Sequence, residues 1–111
     1  MDGLNRGDVV TVALPGNFGK PRPAVIVQSD TFNASHPTIS VLPITSTILP
    51  APLVRITVEP TAANGLRNVS QIMTDKVVSV RRERLGARIG ILDRETMARI
   101  GRSLALWFEF A

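Results

Sequence analysis

Few residues of this chain could do chemistry. It has no cysteine and a single histidine, His36. That excludes thiolate nucleophiles, disulfides, zinc–cysteine sites and multi-histidine metal sites. His36 is the only side chain whose ordinary pKa lies near neutrality. It sits in the polar stretch 29–37, where a solvated loop residue is the plain reading and a proton-transfer or stacking role the sharper one. Arg22 stands between two prolines, Pro21 and Pro23. A guanidinium offers a planar, permanently charged fork to phosphate or carboxylate oxygens, but Arg22 is only one of 13 basic residues. Thr45 and Ser46 place two hydroxyls side by side after an apolar run. They can donate to an anion or simply close a turn.

These residues need a scaffold, and the pattern around them is β-rich. Asn5-Arg6-Gly7-Asp8 reads as a turn opening a strand over Val9–Leu14. The loop Pro15–Pro21 follows. Proline pushes its predecessor Arg22 toward extended geometry. Ala24–Gln28 is nearly continuous in apolar residues, as expected of a central strand buried on both faces. Thr38–Leu42 and Leu53–Val58 alternate like strands. Asn64-Gly65 is a strong turn signal. Val69–Met73 and Lys76–Val80 read as two strand pieces, bent or separated near Thr74-Asp75. Only the C-terminal end looks helical. Asp93 is a good N-cap with Glu95 in the first turn, and Met97, Ile100, Leu104 and Trp107 or Phe108 recur at three- and four-residue steps. This stripe is expected to pack in the core, with the terminal aromatics available to a subunit contact. The whole predicts a mainly β chain: a small, strongly bent sheet or barrel with one packed C-terminal helix.

A length of 111 residues implies one domain, residues 1–111. The N-terminus lacks a signal-peptide pattern and no run of about 18 apolar residues occurs, so a soluble, cytoplasmic protein is expected, with no membrane contact. The composition, 44% hydrophobic with mean hydropathy +0.17, is apolar for a small monomer and raises the prospect of a subunit interface. The net charge is +4. The excess lies in the second half, including Arg81, Arg82, Arg84 and Arg88, and suits a polyanion or an acidic protein as readily as a solvated surface.

In order along the chain, Arg6-Gly7-Asp8-Val9-Val10, Lys20-Pro21-Arg22-Pro23-Ala24-Val25-Ile26-Val27, Pro43-Ile44-Thr45-Ser46, Gln71–Lys76 and Arg84-Leu85-Gly86 with Leu92–Met97 resemble the successive motifs of the MazF/PemK family. These are the toxins of type II toxin–antitoxin pairs. The resemblance implies an SH3-like small β-barrel with a C-terminal α-helix, the MazF/PemK/CcdB-like fold, assembled as a homodimer. It implies an endoribonuclease that needs no metal or other cofactor and cuts single-stranded RNA, usually messenger RNA, sequence-selectively. The products would carry a 2′,3′-cyclic phosphate and a 5′-hydroxyl, and a cognate antitoxin would cover the RNA groove. By position Arg22 matches the family's catalytic arginine, Thr45 its catalytic threonine, and Ser46 a neighbouring hydroxyl. Arg22 would then hold phosphate oxygens while Thr45 donates to the same group. Lys20, Gln71 and His36 are the candidate substrate contacts. Gln71 has two readings, a base-edge reader or a residue that satisfies backbone groups. The sequence departs from the family at Met73, where many relatives carry an arginine, and at Ser70, near a position where some carry an acid. Two alternatives stay open: a CcdB-like gyrase poison that breaks no bonds, and an inactive relative that only binds an antitoxin.

Overall fold

In the computed structural model, which describes residues 3–14 and 20–110, strand β1 (Asp8–Ala13) sends its valines to two sides. Val9 joins one apolar cluster with Val25, Leu42, Ile72 and Ile100. Val10 and Val12 join a second with Ala24, Ile26, Ile39 and Val41. Successive strand residues face opposite ways, so β1 and its neighbour β2 (Pro21–Ile26) are covered on both faces. This accounts for the unbroken apolar run after Arg22. Most of the expected loop before β2, Pro15–Gly19, lies outside the described residues.

The short segment Asp30–Asn33 forms a single-turn helix, α1, where the sequence suggested only an irregular stretch. The Ser29 side chain caps it by accepting from Thr31 N–H. Next come β3 (Thr38–Thr45), β4 (Arg55–Val58), β5 (Ser70–Met73), a 3-10 turn at Thr74–Lys76, β6 (Val78–Arg81) and a second 3-10 turn at Arg82–Arg84. The bend expected near Thr74-Asp75 is thus the first 3-10 turn. Strand β7 (Leu85–Ile91) and helix α2 (Arg94–Phe108) complete the chain. The strand order is β4-β5-β3-β2-β1-β7, all antiparallel, with β6 on the first half of β3.

The sheet does not close into a continuous ladder. Instead, the loop after β4 lies against β7, where Ile91 N–H donates to Ala63 carbonyl at 2.9 Å. Two glycines permit this approach. A Cβ on Gly65, whose φ is +70°, would sit 2.1 Å from the Ile89 carbonyl oxygen, and one on Gly90 would sit 2.3 Å from the Asn64 carbonyl carbon. Both turns of backbone can touch only because neither carries a side chain there. The same requirement hides β7 from sequence inspection: Leu-Gly-Ala-Arg-Ile-Gly-Ile is mostly exposed and interrupted by glycine.

Helix α2 starts as expected. The Asp93 carboxylate accepts from Thr96 N–H at 3.2 Å and from the Thr96 hydroxyl at 2.5 Å. These bonds, the hydroxyl's first, hold the Asp93 carboxyl below its usual range. Met97 and Ile100 enter the core and Leu104 packs against it. The buried stripe stops there. Trp107 and Phe108 remain 50% and 45% exposed, so the last turn projects past the core instead of packing in it. Glu109, with φ 61°, ends the helix in the left-handed conformation, and Phe110 N–H returns to the Ala105 carbonyl. Ser103 ties α2 to the sheet side: its hydroxyl donates to the Leu53 carbonyl at 2.7 Å and lies 2.6 Å from the Thr74 hydroxyl. Among the described residues no helix is long and apolar enough to cross a membrane.

Candidate functional site

Strands β2 and β3 pair with Ala24 opposite Pro43. The paired register of β2 with β3 ends there, two residues short of Arg22 on one strand and of Thr45 on the other. Arg22 shares its strand face with Ala24 and Ile26, and Thr45 shares its face with Ile39 and Val41; all four of these apolar residues belong to the second cluster. Arg22 and Thr45 thus stand just outside the β2–β3 ladder. Arg22 is exposed, and Thr45 is half-buried.

Both line a groove of about 650 Å³. Ser46 and Thr47 continue the wall from β3, while Thr11 contributes from β1 and Leu14 from just after it. Ile89 comes from β7, Ser70 and Met73 from β5, and Leu66, Arg67 and Asn68 from the loop after β4. The groove thus joins pieces of chain from residue 11 to residue 89. Among its described lining residues are two arginines, several hydroxyls and no carboxylate or histidine. The resulting field is positive and favours an anion with oxygen acceptors.

The hydroxyls are oriented locally. Thr45 Oγ1 accepts from Thr47 N–H at 3.1 Å. One lone pair is spent on the backbone, which leaves the Thr45 O–H hydrogen free to donate elsewhere. Ser70, buried, donates its hydroxyl to the Asn68 carbonyl at 2.8 Å.

Arg67 is a groove residue that sequence reading did not single out. Its position depends on Asn64, which is 6% exposed. The Asn64 side-chain oxygen accepts from Thr61 N–H and Leu66 N–H, both at 3.0 Å, and its amide donates to the Glu59 carbonyl at 2.9 Å. The Asn64-Gly65 turn signal pointed to this loop. Which wall the loop would form depends on its contact with β7, and no local pattern encodes that.

The other sequence candidates lie apart from the groove lining. Lys20 is exposed and adjoins the groove residue Pro21 in the chain. Gln71 is 3% exposed. Its oxygen accepts from Leu49 N–H at 3.0 Å, and its amide donates to the Leu49 carbonyl at 2.9 Å and the Thr57 hydroxyl at 3.1 Å. Both amide hydrogens are engaged inside the fold, so Gln71 satisfies local groups instead of presenting an edge to a ligand. His36 is exposed, and its Nδ1 lies 3.2 Å from the Thr38 carbonyl oxygen. Arg82 holds that turn from the side, with its guanidinium donating to the carbonyls of Asn33 and His36. Asp75, at the bend, pairs with Arg55 of β4 at 3.4 Å, both largely shielded.

Residues 5–108 match the family of PemK-like, MazF-like toxins of type II toxin–antitoxin systems. A probable endoribonuclease MazF of Mycolicibacterium smegmatis is 43% identical over 109 residues, covering 97% of this chain and 99% of that protein. Among solved structures, an endoribonuclease in complex with its cognate antitoxin from a mycobacterial species superposes with a TM-score of 0.82, at 20% identity and over 97% of each chain. MazF of Deinococcus radiodurans superposes with a TM-score of 0.81 at 18% identity, over 98% of this chain and 99% of its own.

Proposed function

Since the chain belongs to the PemK-like, MazF-like toxins of type II toxin–antitoxin systems, we propose that it is an endoribonuclease that cuts single-stranded RNA sequence-selectively in the groove lined by Arg22 and Thr45. The observation that carries this reading is their juxtaposition: a guanidinium and a hydroxyl lining one groove, whose described lining carries no carboxylate.

The chemistry follows from what those groups can do. The ribose 2′-oxygen attacks the adjacent phosphorus and gives up its proton. A P–O2′ bond forms, the P–O5′ bond breaks, and the departing 5′-oxygen takes a proton. The products are a 2′,3′-cyclic phosphate and a 5′-hydroxyl. Charge builds on the non-bridging oxygens along this path. Arg22 offers them two parallel N–H donors, and Thr45 adds its O–H. Ser46, exposed beside Thr45, is placed to contribute a second hydroxyl. Fixed donors aimed at developing charge are worth roughly 10²–10³ in rate apiece. With Arg22 supplying a permanent positive charge at the phosphate, the reaction is read as metal-independent. Arg67 and Lys20 extend the positive surface along the strand path and would hold neighbouring phosphates.

A homodimer and a cognate antitoxin complete the reading. The exposed apolar end of α2, with Leu106 at 58% and Phe110 at 76%, supports a protein contact there. The net positive charge suits an acidic antitoxin segment.

The test is direct. Purified protein incubated with single-stranded RNA in EDTA should cut at defined sites, with cyclic-phosphate ends identified by mass spectrometry. Arg22→Ala should abolish the cuts while remaining folded. Failure of the wild-type protein to cut any RNA refutes the proposal.

A further inference from the structure

We infer that Gln71 is a positioning residue, whose buried carboxamide holds the segment 46–49 so that the Thr45 hydroxyl points into the groove. This rests on the endoribonuclease reading above for the meaning of Thr45, but the clamp itself can be tested without it.

The backbone alone cannot hold this segment in place. β3 pairs with β5 only at Ile44–Ile72 and Thr45–Gln71, after which the chain leaves the sheet. Nor does apolar burial secure it. Ile48 and Leu49 are 50% and 44% exposed, and Ser46 and Thr47 are exposed as well. The Gln71 side chain takes over where the ladder ends. It accepts from Leu49 N–H at 3.0 Å and donates to the Leu49 carbonyl at 2.9 Å, much as a paired strand residue would. Its second amide hydrogen goes to Thr57 Oγ1 at 3.1 Å, which fixes the carboxamide plane against β4. With the chain held at Leu49, Thr47 N–H stays on Thr45 Oγ1 at 3.1 Å. That bond sets which way the Thr45 hydroxyl can donate. The line of action therefore runs from a residue outside the groove to the donor inside it.

Two substitutions separate this role from its alternatives. Gln71→Met keeps the bulk and removes every side-chain hydrogen bond. Gln71→Glu keeps an acceptor for Leu49 N–H but sets an oxygen against the Leu49 carbonyl. In both, kcat for cleavage of a single-stranded RNA oligonucleotide should fall roughly 10- to 100-fold, the loss expected of a donor displaced by about 1 Å. KM should stay within about twofold, because no substrate contact is removed. By hydrogen exchange, the Leu49 amide should be protected in the wild-type protein and should exchange on the order of 100-fold faster in a folded variant. A folded variant with unchanged kcat overturns the inference. So does a raised KM with unchanged kcat, which would make Gln71 a substrate contact. An unprotected Leu49 amide in the wild type overturns it too, and that measurement needs no variant to fold. If the wild type cuts no RNA, the functional reading falls by itself, and the exchange of Leu49 still decides whether the clamp exists.

Discussion

Replacing Gly90 by alanine tests the contact that closes the fold and carries one groove wall. The added Cβ would lie 2.3 Å from the Asn64 carbonyl carbon, 2.4 Å from its oxygen and 2.5 Å from the Ala63 oxygen. All three are backbone atoms, so no side chain can swing away. To reach an ordinary carbon contact the loop and β7 must separate by roughly 1 Å. The Ile91–Ala63 hydrogen bond, now 2.9 Å, would then exceed bonding distance. Losing it costs about 1 kcal/mol, and forcing a methyl into a filled site costs about 1–3 kcal/mol more. At roughly 4–6 °C per kcal/mol for a domain this small, Tm should fall by about 10–20 °C. Gly101→Ala is the matched control, since nothing lies within 4 Å of its Cβ and it sits in α2. It should raise stability by about 0.5–1 kcal/mol. Calorimetry measures both, and RNA cleavage well below either Tm reports the effect on the groove. Because Arg67 rides on the displaced loop, Gly90→Ala should also cleave more weakly than Gly101→Ala. A Gly90→Ala protein with wild-type Tm would refute the argument that the loop is seated on β7 through glycine.

Three further outcomes are expected. Arg22→Lys keeps the charge but loses the planar fork, so kcat/KM should fall by about 10²-fold, and near-wild-type activity would mean that charge alone suffices. Arg67→Ala should raise KM with kcat little changed, and should reduce the salt dependence of RNA affinity by about one unit of slope in a log–log plot; an unaltered slope would remove Arg67 from the RNA path. Acid unfolding should show two hydrogen-bonded carboxylates. Asp93 is held below its usual range by Thr96, and Asp30 by the Arg6 backbone N–H and the Asn33 amide. A carboxyl lowered on folding contributes its full stability above the unfolded value near 3.8 and loses it as pH falls through the folded one. The urea midpoint should therefore decline below about pH 4, less steeply in Asp93→Asn, and a parallel decline in that variant would contradict the assignment.

Local chemistry made much of this protein legible from its residues alone. The apolar run Ala24–Val27 announced a strand covered on both sides because both of its faces need apolar contacts. Asp93 announced the start of α2 because a capping carboxylate serves the first turn wherever the helix goes. The family motifs singled out Arg22 and Thr45 as candidates, and both line one groove. Other features depended on contacts between distant segments. Strand β7 carries no alternating pattern, since Gly90 answers to the loop backbone at Ala63 and Asn64, and Gly86 to Thr11 of β1. Arg67 reaches the groove only because that loop docks. Trp107 keeps the helical spacing of the core stripe yet stays 50% exposed, because the core it would join ends at Leu104. Gln71 illustrates the division most plainly. Its residue type allowed either a ligand contact or a backbone clamp, and that choice was made by Leu49, twenty-two positions away, brought within hydrogen-bond range by the bend after β3. Periodicity and capping act within a few residues, so a sequence displays them. Which buried donor meets which acceptor is set by the packing of the whole chain.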